Sequence, residues 1–180
     1  GAGVPAAWLV LRGVQGTPPE PGEPLGPGSF LKICAAGLGL MYLVNFATLA
    51  LMNLIGLLLG QPVENPVNNM TGYPLALNLL LGCVIAPVFE EYLFRWLLLG
   101  RLRPYGERFA AWASALCFGL FHGNLNQFFY ACAIGLIFAA VVLKTGRLWQ
   151  AVLLHAAINF VGTGLVPLLS GLGEAGDWLL

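Results

Sequence analysis

Three ionisable side chains, Glu90, Glu91 and Arg95, lie within an otherwise apolar run of the chain. Charged groups in such a segment are costly, and they mark functional sites by default. Glu91 and Arg95 are four residues apart with the acid first, the order that favours an ion pair on a helix. Glu90 has no basic residue at a matching spacing. We therefore expect Glu90 to be the carboxylate that takes up and returns a proton, as in general acid–base catalysis.

The chain has two histidines, and each has a partner one helical turn away. Phe118 precedes His122 by four residues, and Asn159 follows His155 by four. Residues at this spacing share a helix face. His155 and Asn159 therefore offer an imidazole and an amide on one face, a pair that could donate hydrogen bonds to a developing oxyanion. The alternative is that Asn159 only bonds a neighbouring helix, and that Glu91 and Arg95 only join helices.

If such a site hydrolysed an amide, it would need a nucleophile, a proton acceptor and oxyanion donors. A Ser–His–Asp arrangement cannot be assembled, because the only aspartate is Asp177 near the C-terminus. The predicted nucleophile is a water activated by Glu90, with or without a metal. Two histidines and a glutamate are also a familiar zinc set, so the metal ligands would be Glu90, His122 and His155. The chain has no H-E-x-x-H motif, and its four cysteines lack metal or redox spacing.

The composition restricts the class of protein. Of 180 residues, 58% are hydrophobic and 9% are charged, and the mean hydropathy is +0.81. Soluble domains carry about 25% charged residues. A soluble enzyme and a nucleic-acid binder are therefore excluded, and the formal net charge of +0 indicates no electrostatic partner. The remaining class is an integral membrane protein whose immediate partner is the lipid bilayer.

The hydrophobic pattern predicts an all-α, polytopic transmembrane bundle of about five helices. Residues 1–30 are expected to be the end of a preceding helix plus a Pro/Gly-rich loop, followed by the bundle at 31–172 and a tail at 173–180. The pattern at both ends suggests a piece of a longer bundle. His122 is expected to lie nearer the outer side of the membrane than the other candidate residues. A tilt of its helix or a break at Gly119 must therefore bring it close to them. The predicted helices are 31–59, 75–102, 107–122, 127–144 and 148–169.

Lysine and arginine mark cytoplasmic loops. Under a five-helix alternation, all basic residues except Arg95 fall on one side of the membrane. The loops before the first helix, between the second and third, and between the fourth and fifth are therefore predicted to be cytoplasmic. The seven residues are Arg12, Lys32, Arg101, Arg103, Arg108, Lys144 and Arg147.

The ordered patterns E-E-x-x-x-R, F-x-x-x-H and H-x-x-x-N, at 90–95, 118–122 and 155–159, resemble a family signature. It is that of the CPBP family, the CAAX-protease and bacteriocin-processing (Abi) intramembrane endopeptidases. The family includes the type II CAAX prenyl endopeptidases. The resemblance covers residues 75–161, which form the motif core of the predicted bundle.

This resemblance implies a membrane-embedded endopeptidase with site residues of three kinds. Glu90 and His122 would activate a water, and His155 with Asn159 would hold the oxyanion. Glu91, Arg95 and Phe118 would have supporting roles. The resemblance favours a glutamate-type site without a cofactor, with zinc and a metalloprotease mechanism as the alternative.

The resemblance leaves the substrate open. The substrate classes are a prenylated CAAX tail, a peptide pheromone and a leader peptide, and the expected location is the bacterial plasma membrane. A different hypothesis is a non-catalytic scaffold or immunity protein that retains the motifs. A proton-coupled transporter is disfavoured, because the chain shows no repeated halves.

Overall fold

The computed structural model describes residues 9, 12–14, 16–61, 63 and 74–165, apart from the side chains of residues 163 and 164. Within this part of the chain the fold is all-helical, without strands, as predicted. The predicted helix starts agree to within four residues. The predicted end of the fifth helix, the C-terminal tail and Asp177 lie outside the described residues. The helices are α1 (Pro27–Leu59), α2 (Leu75–Tyr105), α3 (Glu107–Phe121), α4 (Leu125–Thr145) and α5 (Leu148–Asn159).

The five helices differ in length. By length and hydropathy, α1, α2 and α4 could each cross a membrane. The apolar helix α5 is shorter and continues into the wider turn Phe160–Gly164. Helix α3 has 15 residues, which corresponds to about 22 Å, less than the roughly 30 Å of a bilayer core. The structure is therefore a membrane helical bundle in which long and short helices are combined.

Helix α2 contains two π-helical segments. The segments Leu80–Ile85 and Tyr92–Leu98 are π-helical, and they flank the α-helical turn Ala86–Glu91. Pro87 lies at the start of that turn and has no N–H to donate, which favours a change of winding nearby. Single π turns are frequent at functional sites. Both Glu90 and Glu91 lie on the short regular turn between the two segments.

Helices α3 and α4 approach each other closely through small residues. An added Cβ at Gly119 of α3 would overlap the Sγ atom of Cys132. An added Cβ at Gly135 of α4 would lie 3.3 Å from the Cα atom of Ala115. Small residues of this kind allow membrane helices to pack closely. Of the tilt or break expected for this helix, a break at Gly119 is not observed, because α3 is continuous to Phe121. Gly119 is a packing residue instead.

The segment 16–26 crosses one end of the bundle. The Thr17 N–H donates to the Gly100 carbonyl, and the Gly22 N–H donates to the Thr145 carbonyl, both at 2.9 Å. The backbone of Leu25 exchanges two hydrogen bonds with the side chain of Gln150, of 3.0 and 3.1 Å. The end of α2, the end of α4 and the start of α5 therefore lie at one end, together with their basic residues. Which side of the membrane this end faces stays a prediction.

Candidate active site

Glu91 is the centre of a buried polar cluster. Its carboxylate is fully buried, with Oε2 3.2 Å from Nε of Arg95, so the ion pair expected from sequence is present. Its Oε1 atom lies 2.9 Å from Nδ1 of His155 on α5. Because an ionised carboxylate only accepts, Nδ1 of His155 carries the hydrogen and donates to Glu91. This bond fixes the orientation of the imidazole and directs its Nε2 atom away from Glu91.

Glu90 lies on the other side of the same imidazole. Its Oε2 atom is 3.7 Å from Nε2 of His155. The Glu90 side chain is 18% exposed, whereas that of Glu91 is fully buried. Two adjacent carboxylates therefore face the two nitrogens of one histidine, and only Glu90 remains accessible to a water or a substrate.

The guanidinium of Arg95 is fully buried between α2, α3 and α4. Its Nη2 group donates to the Gly135 carbonyl at 3.1 Å. Its Cζ atom lies 4.3 Å from the ring centre of Phe118 and 5.3 Å from that of Phe138. A buried charge is costly unless it is paired, and the carboxylate, the carbonyl and the aromatic faces together offset that cost.

Helix α4 holds the imidazole of His155 through Phe138. The two rings are stacked with their centres 4.9 Å apart, and Phe118 meets the same imidazole edge-on at 5.6 Å. Sequence analysis missed Phe138 and Gly135, because they are two more apolar residues of an apolar helix. Their spacing of three residues places them on one face, but a packing face has the same spacing.

His122 follows the last residue of α3. Its Nδ1 atom lies 2.8 Å from the Phe118 carbonyl, and its ring meets the Phe118 ring edge-on at 5.0 Å. Because a carbonyl only accepts, Nδ1 carries the hydrogen, and the lone pair of the neutral imidazole is on Nε2. Phe118 thus contacts both histidines. Between the described side chains of His122 and Glu90 there is no hydrogen bond or ion pair.

Asn159 connects α5 to the first π-helical segment of α2. Its Nδ2 group donates to the Gly82 carbonyl at 2.8 Å. This is the interhelical bond that sequence analysis offered as the alternative to oxyanion binding.

The suggested metal ligands do not converge in this structure. Among the residues that the structure describes, no three His, Cys, Asp or Glu side chains are close enough together to hold a metal ion. The Nδ1 atom of His155 is bonded to Glu91, and that of His122 to a backbone carbonyl. These bonds leave Nε2 of both histidines as possible ligands. Because the side chains of Glu90, His122 and His155 do not form a close group, they would have to move together to hold one metal.

The fold and the cluster define a class of protein: a helical membrane protein with a carboxylate–histidine site inside an apolar bundle. The family model described as "Type II CAAX prenyl endopeptidase Rce1-like" matches residues 72–161, half of the chain. The chain therefore belongs to the Rce1-like family of type II CAAX prenyl endopeptidases, as its resemblance predicted. The matched range contains every candidate residue named above.

One relative adds a second comparison. A Bacillus subtilis (strain 168) protein named "Putative membrane peptidase YdiL" is 29% identical to this chain over 84 residues. The match covers 46% of this chain and 34% of that protein, so the shared part spans about a third of the relative's length. No solved structure matches the chain.

Proposed function

We propose that the chain is a membrane-embedded endopeptidase that hydrolyses a peptide bond with a water activated by Glu90. One observation carries the proposal. The accessible carboxylate of Glu90 lies 3.7 Å from His155, and the other nitrogen of His155 is held by the buried Glu91. A partly accessible acid beside an oriented imidazole suits hydrolysis, and family membership supports a peptide or protein as the substrate.

The proposed reaction begins with a proton transfer to Glu90. Glu90 takes a proton from the water while the water oxygen bonds to the carbonyl carbon of the substrate. The lone pair on Nε2 of His122 would help to orient that water. The protonated Glu90 then gives its proton to the amide nitrogen as the C–N bond breaks, which yields a carboxylic acid and an amine.

His155 and Asn159 would stabilise the negative oxygen of the tetrahedral intermediate. Since Nδ1 of His155 already donates to Glu91, donation from Nε2 requires the imidazolium form. Glu91 would balance that charge and hold the ring in place. In the same proposal, Arg95 pairs with Glu91 and does not contact the substrate.

The substrate class is the finer part of the proposal. The family description names prenyl endopeptidases, so the first class to test is a peptide that ends in a prenylated CAAX sequence. A leader peptide and a peptide pheromone are the next classes. The proposed location is the bacterial plasma membrane, where the substrate reaches Glu90 from the bilayer.

The test is cleavage of labelled peptides by the purified chain in nanodiscs. We expect Glu90→Gln to lower turnover by at least about 10²-fold, because general acid–base catalysis contributes that much. The control is Glu23→Gln, which removes an exposed carboxylate from the segment at the end of the bundle. Equal turnover in the wild type and the Glu90→Gln variant would refute the mechanism.

Metal dependence requires its own experiment. We propose a glutamate-type reaction, so activity should survive exhaustive chelation and elemental analysis should find no stoichiometric metal. Stoichiometric zinc, with activity lost on its removal and restored on its return, would establish the metalloprotease alternative.

A non-catalytic scaffold is the second candidate function. Two observations favour it: Asn159 bonds a backbone carbonyl of α2, and His122 bonds the carbonyl of Phe118. In a scaffold these polar residues would hold the helices together. A folded wild-type chain that cleaves none of the three peptide classes, and whose Glu90→Gln variant has altered stability, would favour this function.

A further inference from the structure

A groove of about 360 Å³ opens between the first turns of α3 and the last turns of α4. It lies at the end of the bundle that the segment 16–26 crosses, far along both helices from the buried cluster around Glu91. Its walls carry two basic side chains, one from each helix. The residues that line this groove are Glu107, Arg108, Ala111, Ala140, Leu143 and Lys144.

The mouth of the groove is positively charged. Arg108 and Lys144 are both exposed, and among the described residues no carboxylate lies within ion-pair distance of either. The acidic residue at the mouth, Glu107, is already paired with Arg103 at 3.0 Å. The positive end of the α3 dipole adds to the field at the same place. The mouth therefore attracts an anion.

The rest of the groove is apolar. Ala111 and Ala140 are small, and they leave room beside Leu143 along the direction of the helices. On α3, Phe109 and Trp112 are 54% and 66% exposed. Exposed aromatic side chains near a helix end are typical of the membrane interface. Because α4 is long enough to cross the bilayer, the groove runs from headgroup level at Lys144 toward the acyl chains.

We propose that this groove binds an anionic phospholipid. The phosphate of the headgroup would accept hydrogen bonds from the Arg108 guanidinium and the Lys144 ammonium, and one acyl chain would lie against Ala111, Ala140 and Leu143. Basic pockets between membrane helices favour anionic headgroups in this way. The site is separate from the proposed peptidase reaction, and it would tie α3 to α4 on the lipid side of the bundle.

Native mass spectrometry of the purified chain tests the proposal. The chain is released from detergent in the presence of phosphatidylglycerol or of phosphatidylcholine with the same acyl chains. We expect one phosphatidylglycerol to be retained, with a preference of about 10-fold or more over phosphatidylcholine, as two interfacial basic residues would give. Equal retention of the two lipids would overturn the proposal.

Two variants locate the preference within the molecule. Arg108→Gln combined with Lys144→Gln should remove it. Lys32→Gln should preserve it, because Lys32 is an exposed basic residue near the start of α1 that does not line the groove. A preference that survives the double substitution, or one that Lys32→Gln also removes, would refute the assignment to this groove.

Ala140→Leu distinguishes a lipid from a free anion and keeps both charges. It fills the apolar part of the groove, so it should weaken retention of phosphatidylglycerol and have no effect on inorganic phosphate. Displacement of phosphatidylglycerol by millimolar inorganic phosphate, or retention unchanged by Ala140→Leu, would show that the acyl chain is not bound there. This variant also keeps the test decisive if the double variant fails to fold.

Discussion

Helices α2 and α4 contribute to the same buried cluster in opposite ways. Helix α2 supplies the ionisable groups, Glu90, Glu91 and Arg95, whereas α4 has no charged residue before Lys144. Yet α4 provides the carbonyl that accepts from Arg95 and the aromatic ring that stacks on His155. The comparison shows that a helix with no charge in the cluster helps to position the ionisable groups that another helix supplies.

This difference follows from what a buried guanidinium requires of the helix faces around it. A buried guanidinium needs acceptors and polarisable neighbours, because it has lost its water. Gly135 exposes its backbone carbonyl to Arg95, since it has no side chain in the way, and Phe138 covers the guanidinium from another direction. An apolar helix can therefore determine the geometry of an ionic cluster without any charge of its own.

The largest effect on stability is expected for Glu91→Gln. This change removes the charge that faces both Arg95 and His155, and breaking a buried pair costs about 3–5 kcal/mol of the free energy of unfolding. Turnover should fall as well, because His155 loses its anionic partner. Thermal unfolding in detergent and peptide cleavage measure the two effects.

The matched control for Glu91→Gln is Glu107→Gln. Arg103 and Glu107 form an ion pair with the same four-residue spacing, but their side chains are 23% and 56% exposed. An exposed pair contributes about 0–1 kcal/mol. Similar losses of stability for the two variants would mean that the buried cluster does not depend on Glu91 as the structure indicates.

From the sequence, the fold and the candidate residues could be predicted, but most of the contacts between those residues could not. The apolar runs were long enough to define the helices, and the pairing of Glu91 with Arg95 is local, so four-residue spacing sufficed. The bond from Glu91 to His155 joins residues 64 positions apart, and no local rule specifies it. It depends on how α5 packs against α2, and that packing depends on side-chain shape.

The same limit applies to the residues of α4. Gly135 and Phe138 differ from other apolar residues only in what they face, so composition and periodicity cannot identify them. The expected proximity of His122 to Glu90 is likewise not specified by local spacing. In the structure His122 bonds the Phe118 carbonyl one turn earlier on its own chain. The pairing of His122 with Glu90 remains a prediction.

Asn159→Ala separates chemistry from packing on α5. As an oxyanion donor, Asn159 should contribute about 10²–10³-fold to kcat, with KM little changed. Loss of its hydrogen bond to Gly82 should lower the free energy of unfolding by about 1 kcal/mol. Asn159→Asp should be at least as damaging to kcat, because a carboxylate repels the same oxygen.

The two roles of Asn159 predict different results. Lower thermal stability with near-normal turnover in the folded fraction would remove Asn159 from the catalytic set. It would leave the bond to Gly82 as the function of this side chain.

The smallest expected effect on turnover, and the most direct test of α4, is that of Gly135→Ala. An added Cβ would lie 3.0 Å from Nη2 of Arg95 and 3.1 Å from Cδ1 of Phe118, closer than ordinary van der Waals contact. Overpacking of this kind typically costs about 1–3 kcal/mol. The displaced guanidinium should disturb Glu91 and, through it, His155, so kcat should fall several-fold more than KM changes.

Gly39→Ala is the control that makes Gly135→Ala interpretable. Gly39 is also helical, but an added Cβ there has nothing within 4 Å. Alanine is favoured over glycine in a helix by up to about 1 kcal/mol, so Gly39→Ala should leave the protein as stable or more so. Gly135→Ala gains the same helical preference, and any net loss therefore measures the contacts with Arg95, Phe118 and Ala115. If both variants were equally stable and equally active, α4 would be a packing helix only, and the cluster would owe its geometry to α2, α3 and α5.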